Sequence, residues 1–292
     1  MILPKNEFHK AALILTGSKS KADGLIQSLI ERQEGSFQFF GREKRLRDGV
    51  LLILSNPGAT ATFLASPPEN AGEVDSTKSL IKEGLCSLVK AKTTTIAQTL
   101  IGVQDTLLAK AFTNAGFTKL AILTFMEQHR VPNQKSDNEG VTFRRITKKD
   151  DKLLGHLLNE TYIDSLDCPK IHGAREVQQI IDGHRSGTDE NSQVWAIAEL
   201  ENKPSGVILL NSIQQDNSIE LCYIGVAPFA RGAGLGNALM QHAAEQTKKL
   251  ACQRVILAVD SKNTPAIQLY KKWNFFEKSK RLTFIHKLST SC

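Results

Sequence analysis

Cysteine, aromatic residues and long apolar runs are scarce in this sequence. The five cysteines are scattered over 292 residues without a C-x-x-C pair, which disfavours a disulfide framework and a zinc site and favours a reducing compartment, the cytoplasm. The seven histidines show no H-x-x-x-H or H-E-x-x-H spacing, so we predict no metal. No apolar run approaches the ~20 residues of a membrane helix, and the N-terminus lacks a convincing small-residue cleavage site. We therefore expect a cytoplasmic protein without a membrane partner.

The charge balance is basic, with a formal net charge of +7. A basic surface favours acidic ligands such as phosphates. Nucleic acid is disfavoured as a partner because aromatic residues make up only 6% of the chain and the longest basic run is "GREKRLR". A ligand that carries several phosphates remains compatible with this charge.

The length allows two domains of ordinary size. A polar segment with a proline and a glycine, 131–140, is interpreted as a linker between domains 1–130 and 141–292. The second half alternates between strand-like and helix-like patterns. Its strand candidates are "VTFRRI", "SQVWAIAEL", "KPSGVILLNSIQ", "SIELCYIGVA", "QRVILAVD" and "RLTFIHKL". Its helix candidates are "TKKDDKLLGHLLNETYIDSL", "AREVQQIIDGHR", "LGNALMQHAAEQTKKLA" and "NTPAIQLYKKWNFF".

The first half repeats the end of this pattern. "TLLAKAFTNAGF" aligns without a gap with "TPAIQLYKKWNF", so that Phe117 corresponds to Phe275 at an offset of 158 residues. The preceding segments "ATATFLASPP", "VDSTKSLIKEGLCSLVKA" and "TTIAQTLIGVQD" agree with the second half in element order, as does the following "LAILTFMEQ". A repeat of this length predicts two copies of one fold.

Three alternate glycines stand behind an arginine in "VAPFARGAGLG", residues 226–236, between a strand and a helix. A nucleotidase-type phosphate loop would need Gly-Lys-Ser/Thr, and a dinucleotide fingerprint would need glycine where Asn237 stands. A tight turn explains one such glycine but not three. A glycine loop that opens a helix aims unpaired N–H groups at one point, where the helix dipole adds positive charge. The loop therefore predicts a diphosphate site, with Arg231 as an added charge.

This loop resembles the R/Q-x-x-G-x-G/A coenzyme A loop of the GCN5-related N-acetyltransferases, the GNAT superfamily. "NTPAIQLYKKWNFF" is similar to a later helix of that family, and the two-copy layout is similar to the tandem type that includes mycothiol synthase. The resemblance covers Val141 to about Ser289. Asn274 stands where the family usually has glycine; asparagine tolerates left-handed geometry, so we expect the turn to survive.

The resemblance implies an α/β (α+β) chain of two tandem acyl-CoA N-acyltransferase folds, each a mixed, twisted, splayed sheet flanked by helices. It implies acetyl-CoA as cosubstrate, without a metal, and a small-molecule or peptide amine as acceptor. The backbone of Ile224, Gly225 and Val226 would pair with the pantetheine arm, and Asn263 would reach the cofactor. The amides that would hold the pyrophosphate are those of Arg231, Gly232, Ala233, Gly234, Leu235 and Gly236.

Acetyl transfer to an amine benefits from a base, which typically contributes about 10²–10⁴-fold. Strand alternation places Glu220 on one face with Cys222, Ile224 and Val226. The resemblance implies a base eight residues before a proline, and Glu220 stands eight before Pro228. Its distance from the cofactor positions suggests that it works through a water, and the alternative is a surface glutamate.

The resemblance also implies that Tyr270 protonates the sulfur of the coenzyme; the alternative is an amphipathic core tyrosine. A phenol with a pKa near 10 suits a thiolate leaving group of similar basicity. Cys222 is interpreted as a small apolar side chain rather than a nucleophile, since no histidine pairs with it in sequence.

The first copy lacks these features. Phe112 stands where the second copy has Tyr270, and "SPPENAGEVD" replaces the arginine-glycine loop with prolines and acidic side chains that would repel a diphosphate. We therefore expect 1–130 to be a degenerate, non-catalytic copy that walls the substrate cleft or mediates association.

The leading hypothesis is an acetyl-CoA-dependent N-acetyltransferase, EC 2.3.1.-, that acts on a primary amine as a monomer or homodimer. A non-catalytic acyl-CoA sensor or assembly module is the rival hypothesis, and transfer of a larger acyl group is a third. The segment "YIDSLDCPKIHGAREV", in the region expected to bind the acceptor, shows no recognisable code. Identity of the acceptor therefore stays open.

Overall fold

A computed structural model describes residues 1–33, 35–42, 46–129, 132, 140–186 and 189–288. The chain divides into two compact units, one formed by Met1–Ala121 with Arg281–Cys292 and the other by Ile122–Lys280. The expected linker 131–140 lies almost entirely outside the described residues.

The first unit is a mixed sheet with helices on both faces. Its helices are α1 (Phe8–Thr16), α2 (Lys19–Ile30), α3 (Val74–Ala91) and α4 (Thr106–Asn114). Its strands are β1 (Phe37–Phe40), β2 (Leu51–Asn56), β3 (Thr60–Ala65) and β4 (Ile96–Gly102), with the first residues of β5 (Thr118–Gln128). β1, β2 and β3 are antiparallel, and β3 and β4 are parallel. The N-terminal helices pack against one face of the sheet, and α3 and α4 pack against the other.

The second unit repeats this arrangement. After β6 (Val141–Arg145), its helices are α5 (Asp151–Tyr162), α6 (Val177–Arg185), α7 (Leu235–Lys249) and α8 (Thr264–Lys272). Its remaining strands are β7 (Gln193–Leu200), β8 (Lys203–Ile213), β9 (Ser218–Val226), β10 (Arg254–Asp260) and the first residues of β11 (Phe276–Lys287). β6 to β9 are antiparallel neighbours, whereas β9 and β10 are parallel. α7 and α8 cover one face, and α5 and α6 cover the other.

The predicted repeat is visible in the geometry of α4 and α8. Both helices are preceded by residues with nearly the same backbone angles, since φ and ψ are −79° and 62° at Asp105 and −79° and 68° at Asn263. Gly116 and Asn274, which follow the two helices, both have positive φ. Asparagine therefore keeps the left-handed turn that the sequence predicted at this position.

The compact units do not follow the sequence boundary between 130 and 141. The residues of β5 from Ile122 onward pair antiparallel with β10, from Leu123 opposite Asp260 to Gln128 opposite Val255. Conversely, Arg281 to Lys287 of β11 pair antiparallel with β4 in the first unit. Each half of the sequence thus supplies a strand segment to the unit formed mainly by the other half. A division by sequence order does not reproduce the units because strand pairing, rather than chain order, defines them.

None of the described helices combines the length and the apolar composition that crossing a bilayer requires.

Candidate active site

The second unit contains a cavity where β9 and β10 separate. Their parallel ladder covers only four residue pairs, from Ser218 opposite Arg254 to Leu221 opposite Leu257. Beyond it lies a cavity of about 270 Å³ lined by residues of both strands and of the segment that follows α5. The expected splaying of the middle strands is therefore present in this unit. The predicted site residues that line the cavity are Ile224, Gly225, Val226, Arg231, Asn263 and Tyr270.

The glycine loop leaves most of its amides without a partner. Gly232 and Gly234 have φ of 83° and 79°, which favours glycine, and Gly234 is the N-cap of α7 without any side-chain cap. Within the described part of the chain, no group accepts a hydrogen bond from the amides of residues 232–236. The amide of Arg231 differs, since it donates to the carbonyl of Pro228 at 3.2 Å. Five consecutive amides at a helix N-terminus form a typical anion site.

Two residues of the loop also contribute to packing. The Leu235 side chain is buried in the core that α7 and α8 form with the sheet. A Cβ on Gly236 would lie 3.2 Å from a methyl group of Leu269, so a glycine here permits close approach of α7 and α8. The sequence argument assigned these positions to the phosphates alone, because packing partners on a distant helix are not visible in a local motif.

Arg231 is engaged by the protein's own backbone. Its Nη2 donates to the carbonyls of Thr161 at 3.2 Å and Ile163 at 2.6 Å, at the end of α5, and its Nε donates to the carbonyl of Val226 at 3.2 Å. An arginine at a helix C-terminus satisfies carbonyls that have no intrahelical partner. The guanidinium therefore ties α5 to β9 beside the cavity, a role that the sequence did not predict.

Glycine is required at position 225 by the space available. A Cβ there would lie 2.8 Å from the Cβ of Thr161 and 2.8 Å from the hydroxyl oxygen of Tyr223. These two side chains also share a hydrogen bond of 2.8 Å. The backbone of β9 therefore packs directly against the Thr161 side chain of α5 at the cavity, and this close approach accounts for the glycine.

A β-bulge changes the faces of β9. The pairing with β8 runs from Tyr223 opposite Leu209 to Leu221 opposite Leu210, which leaves Cys222 as the extra residue. Ile224 and Val226 pack toward α7 and α8, whereas Cys222 and Tyr223 pack toward α5 and α6. A single extra residue shifts the alternation by one position. Strict alternation, on which the sequence argument relied, therefore does not hold across Cys222.

Glu220 lies before the bulge, and its position differs from the expected one. Its register partner is Asn211, whose side chain bonds to Trp195 and to the backbone of His184 on the α5–α6 side. Glu220 thus faces away from Ile224 and Val226, and the expectation that they share a face is wrong. Glu220 is exposed and is not among the residues that line the cavity, although crowded surroundings raise the pKa of its carboxyl.

Tyr270 lies on α8, where it is buried in the core and also lines the cavity. It is 4% exposed and packs against Phe275 at a ring-centroid distance of 5.8 Å. Burial, and then the charge of Asp167, raise the pKa of its hydroxyl well above the ordinary value. No other described side chain or backbone group bonds to this hydroxyl, so it is available to a ligand as a donor. A neutral phenol at the cavity is suited to donate a proton.

Asn263 is the N-cap of α8 and also lines the cavity. Its Oδ1 accepts a hydrogen bond from the amide of Ala266 at 3.3 Å. The side-chain oxygen is therefore engaged within the protein, whereas the NH₂ group has no acceptor among the described groups.

Asp167 is a cavity residue that the sequence analysis did not single out. It lies in the segment after α5, and its Oδ1 accepts a hydrogen bond from the amide of Asp260, the last residue of β10, at 3.0 Å. Asp260 in turn accepts from the amides of Cys168 at 3.3 Å and Lys262 at 2.9 Å. Burial is the largest cause of the raised pKa of Asp167. No local motif marks Asp167, because the contact that places it joins residues 93 positions apart in the sequence.

Within the described part of the chain, histidine, cysteine, aspartate and glutamate do not gather in groups of three or more that would hold a metal ion.

Comparison with protein families gives a match to the model of the acetyltransferase (GNAT) family over residues 158–275. This region contains the separated strands, the glycine loop, Tyr270 and Asp167.

Two curated acetyltransferases are similar to part of the chain. Mycothiol acetyltransferase of Pseudarthrobacter chlorophenolicus is 41% identical over 56 residues, which are 19% of this chain and 17% of that protein. Streptothricin acetyltransferase of Streptomyces lavendulae is 28% identical over 89 residues, 30% of this chain and 47% of that protein. The similarity spans less than half the length of either relative.

Solved structures share the fold of the whole chain at low sequence identity. A GCN5-related N-acetyltransferase from Sphaerobacter thermophilus has a TM-score of 0.68 at 15% identity and covers 98% of this chain and 94% of its own. A tandem GNAT protein from the clavulanic acid biosynthesis pathway has a TM-score of 0.57 at 13% identity. The match covers 100% of this chain and 99% of that protein. Residues 158–275 therefore match the acetyltransferase (GNAT) family, and the chain shares its fold with tandem GNAT proteins.

Proposed function

We propose that the chain transfers an acetyl group from acetyl-CoA to a primary amine, and that the second unit carries the activity. The observation that supports this most is the row of unpartnered amides of residues 232–236, which directly follows the cavity residue Arg231 in the chain. An amide row at a helix N-terminus attracts a diphosphate, and a contact with the helix dipole contributes roughly 0.3–1 kcal/mol.

The residues present fit acetyl-CoA. The amides of the glycine loop would hold the pyrophosphate, and the backbone of residues 224–226 would pair with the pantetheine arm, since no β10 residue pairs with this part of β9. Asn263 would reach the cofactor with its NH₂ group. Arg231 would act on the loop chiefly by fixing it to α5, rather than as a free charge beside the phosphates.

Acetyl-CoA supplies an activated acyl group whose departing sulfur needs a proton. Tyr270 would donate that proton, because its hydroxyl stays protonated at neutral pH and lies on the cavity wall. An acceptor with the chemistry of an α-amine, whose ordinary pKa is near 8, has to give up its own proton at a smaller free-energy cost than a lysine-like amine.

Glu220 remains the base proposed from the sequence, acting through a water. Partial desolvation raises the pKa of its carboxyl, which favours proton acceptance. Because it faces the α5–α6 side, this role requires that the acceptor enters from that side of β9.

The rival proposal is a non-catalytic acyl-CoA-binding sensor or assembly module. The first unit favours it, since Phe112 there is fully buried and carries no hydroxyl. A larger acyl group than acetyl is a further alternative for the donor. We propose a cytoplasmic protein, monomeric or homodimeric, with a small-molecule or peptide amine as acceptor.

Two measurements on the full chain separate these proposals. Titration calorimetry with acetyl-CoA tests binding, and absence of binding would remove both the enzyme and the sensor. A screen of primary amines with thiol detection then tests transfer: coenzyme A release that depends on the amine supports the enzyme, and binding without release supports the sensor. Replacing acetyl-CoA by a longer acyl-CoA in the same screen tests the donor.

A further inference from the structure

We propose that Asp167 is the carboxylate that takes the proton from the acceptor ammonium during transfer. This inference rests on the proposed function and names a residue for the base that the sequence assigned to Glu220. It starts from a geometric difference: Asp167 and Tyr270 line one cavity, whereas Glu220 is not on its wall.

The first step of the argument is how Asp167 is held. Its Oδ1 accepts from the amide of Asp260, so the carboxylate is fixed at the end of β10 where the strands separate. Its carbonyl oxygen accepts from His172 Nε2 at 3.1 Å when that nitrogen carries the proton, and its amide donates to Ser165 Oγ at 3.2 Å. No described group donates to Oδ2. A fixed carboxylate with one free oxygen on a cavity wall is suited to meet a cation there.

The second step is the relation between Asp167 and Tyr270. The charge of Asp167 raises the pKa of Tyr270, which is a sign of proximity between the carboxylate and the proposed proton donor. Tyr162, Cys168 and Tyr223 respond to the same charge. Asp167 lines the same cavity as Tyr223 and Tyr270, and its charge acts on both phenols.

The surroundings of Asp167 support proton acceptance. Burial raises its pKa, the charge of Asp260 adds to the effect, and the Asp260 amide and His172 oppose it. The charged groups that the structure couples to it are thus Asp260 on β10 and His172 in its own segment. The phenols of Tyr162, Tyr223 and Tyr270 add no charge at pH 7, since the ordinary pKa of a tyrosine is near 10 and burial raises it further at all three positions. A raised pKa narrows the gap to the pKa of the acceptor amine and favours transfer of its proton.

The protons and bonds of the step balance. The acceptor enters as an ammonium and gives one proton to Asp167, which later releases it to solvent. The amine nitrogen forms a bond to the thioester carbonyl carbon, and the carbon–sulfur bond breaks. The departing thiolate takes the proton of Tyr270. The second proton of the new amide nitrogen restores the phenol of Tyr270, directly or through water.

The test compares Asp167→Asn with Glu220→Gln in the full chain. The substituted side chain of Asp167→Asn keeps an oxygen for the Asp260 amide, so the fold should be retained; circular dichroism and the acetyl-CoA dissociation constant check this. We expect Asp167→Asn to lower kcat/KM about 10²-fold or more at neutral pH, as typical for loss of a base. It should also abolish the acidic limb of the pH profile. Glu220→Gln should keep that limb. Asp182→Asn, an equal charge change on α6 away from the cavity, should match the wild type.

The assay uses the amine from the screen that gives the fastest coenzyme A release. Turnover of Asp167→Asn within threefold of the wild type, with an unchanged pH profile, would overturn the inference. So would loss of the acidic limb in Glu220→Gln alone. If the wild type fails to bind acetyl-CoA, or binds it without any turnover, the proposed function fails and this inference falls with it. The two failures are distinguishable. If the wild type and Asp167→Asn turn over equally fast, the proposed function stands and only the role of Asp167 is wrong.

Discussion

The turns that follow β3 and β9 occupy equivalent places in the two units but satisfy their amides differently. In the first unit, the amide of Gly72 donates to Asn70 Oδ1 at 3.0 Å, and the amide of Glu69 donates to a carboxylate oxygen of Glu73 at 2.8 Å. Asn70 also donates to Glu73 at 2.7 Å. In the second unit, the amides of residues 232–236 have no acceptor among the described groups. The first turn therefore satisfies these amides with its own side-chain oxygens, whereas the second turn does not.

The helices that follow differ in the same direction. Phe112 on α4 and Tyr270 on α8 correspond in the repeat, and only the second carries a hydroxyl. Phe112 is 0% exposed and packs on Phe117 at a ring-centroid distance of 5.0 Å, so its position belongs entirely to the core. The two units thus share the order of their strands and helices. Unpartnered amides and a single hydroxyl distinguish the candidate site of the second unit from the corresponding region of the first.

The largest effect on kcat is expected when Tyr270 is replaced by phenylalanine, the residue at the corresponding position of the first unit. Tyr270→Phe should lower kcat roughly 10³-fold, because the departing sulfur loses its proton donor, and should leave the acetyl-CoA dissociation constant within about twofold. Steady-state kinetics and calorimetry measure the two quantities. Phe112→Tyr is the matched control: it buries a hydroxyl without a partner, costs about 1–3 kcal/mol of stability and should not change kcat. An unaffected kcat in Tyr270→Phe would remove Tyr270 from the mechanism.

A second substitution introduces a carboxylate into the turn after β9, like the carboxylate of Glu73 in the turn after β3. Gly234→Asp should weaken acetyl-CoA binding about 100-fold, which corresponds to ~2.7 kcal/mol, since the new carboxylate repels the pyrophosphate and a side chain is strained at φ 79°. Gly17→Asp has a similar φ of 67° with open space around it and serves as the control for backbone strain. Binding of Gly234→Asp at wild-type affinity would contradict the phosphate assignment.

Lowering the pH should destabilise the second unit, because this unit contains a buried histidine. Burial, assisted by Arg175, lowers the pKa of His184 to about 4 from 6.5. Between these two pH values His184 is protonated in the unfolded chain but neutral in the folded chain. The free energy of unfolding therefore falls as the pH decreases through this range, by roughly 1–2 kcal/mol between pH 7 and pH 5. Trp195 and Trp273 both lie in the second unit and report its unfolding by fluorescence.

The variant His184→Leu should lose most of this pH dependence of the denaturation midpoint. His9, which is exposed and bonded to Asp23 in the first unit, provides the comparison. An unchanged pH dependence in His184→Leu would show that another group is responsible.

The smallest effect is expected from opening the turn of the first unit. Glu73→Gln weakens two hydrogen bonds near the surface and should cost ~1 kcal/mol or less. Calorimetry with acetyl-CoA should detect no additional binding site in this variant, because the turn still lacks the glycines of its counterpart. A second binding event would show that the first unit has kept a latent site.

The sequence predicted the elements whose pattern is local. The strand candidate "SQVWAIAEL" and the helix candidate "LGNALMQHAAEQTKKLA" appear in the structure as β7 and α7, within one or two residues of their predicted ends. The repeat between α4 and α8 extends to the backbone angles at Asp105 and Asn263. The glycine loop was predicted because the close approach of a diphosphate to backbone amides favours residues without a Cβ, and the three alternate glycines lie within five consecutive positions of the sequence.

Features that depend on distant residues were not predictable in this way. The bulge at Cys222 depends on the register of β8 and reverses the face of Glu220. Arg231 meets carbonyls at the end of α5, some 70 positions earlier. Asp167 becomes a site residue only through the amide of Asp260. The α1–α2 pair and the first two strands lie in a region that the sequence analysis left without assigned elements.

The placement of β5 has a practical consequence for dissecting the gene. A fragment that starts at residue 141 would omit Leu123 to Gln128, which complete the hydrogen bonding of β10 in the second unit. Its sheet would present a bare edge, and such edges recruit strands from other molecules and promote aggregation. Expression designs for the second unit should therefore begin upstream of residue 122, even though the family match starts at residue 158.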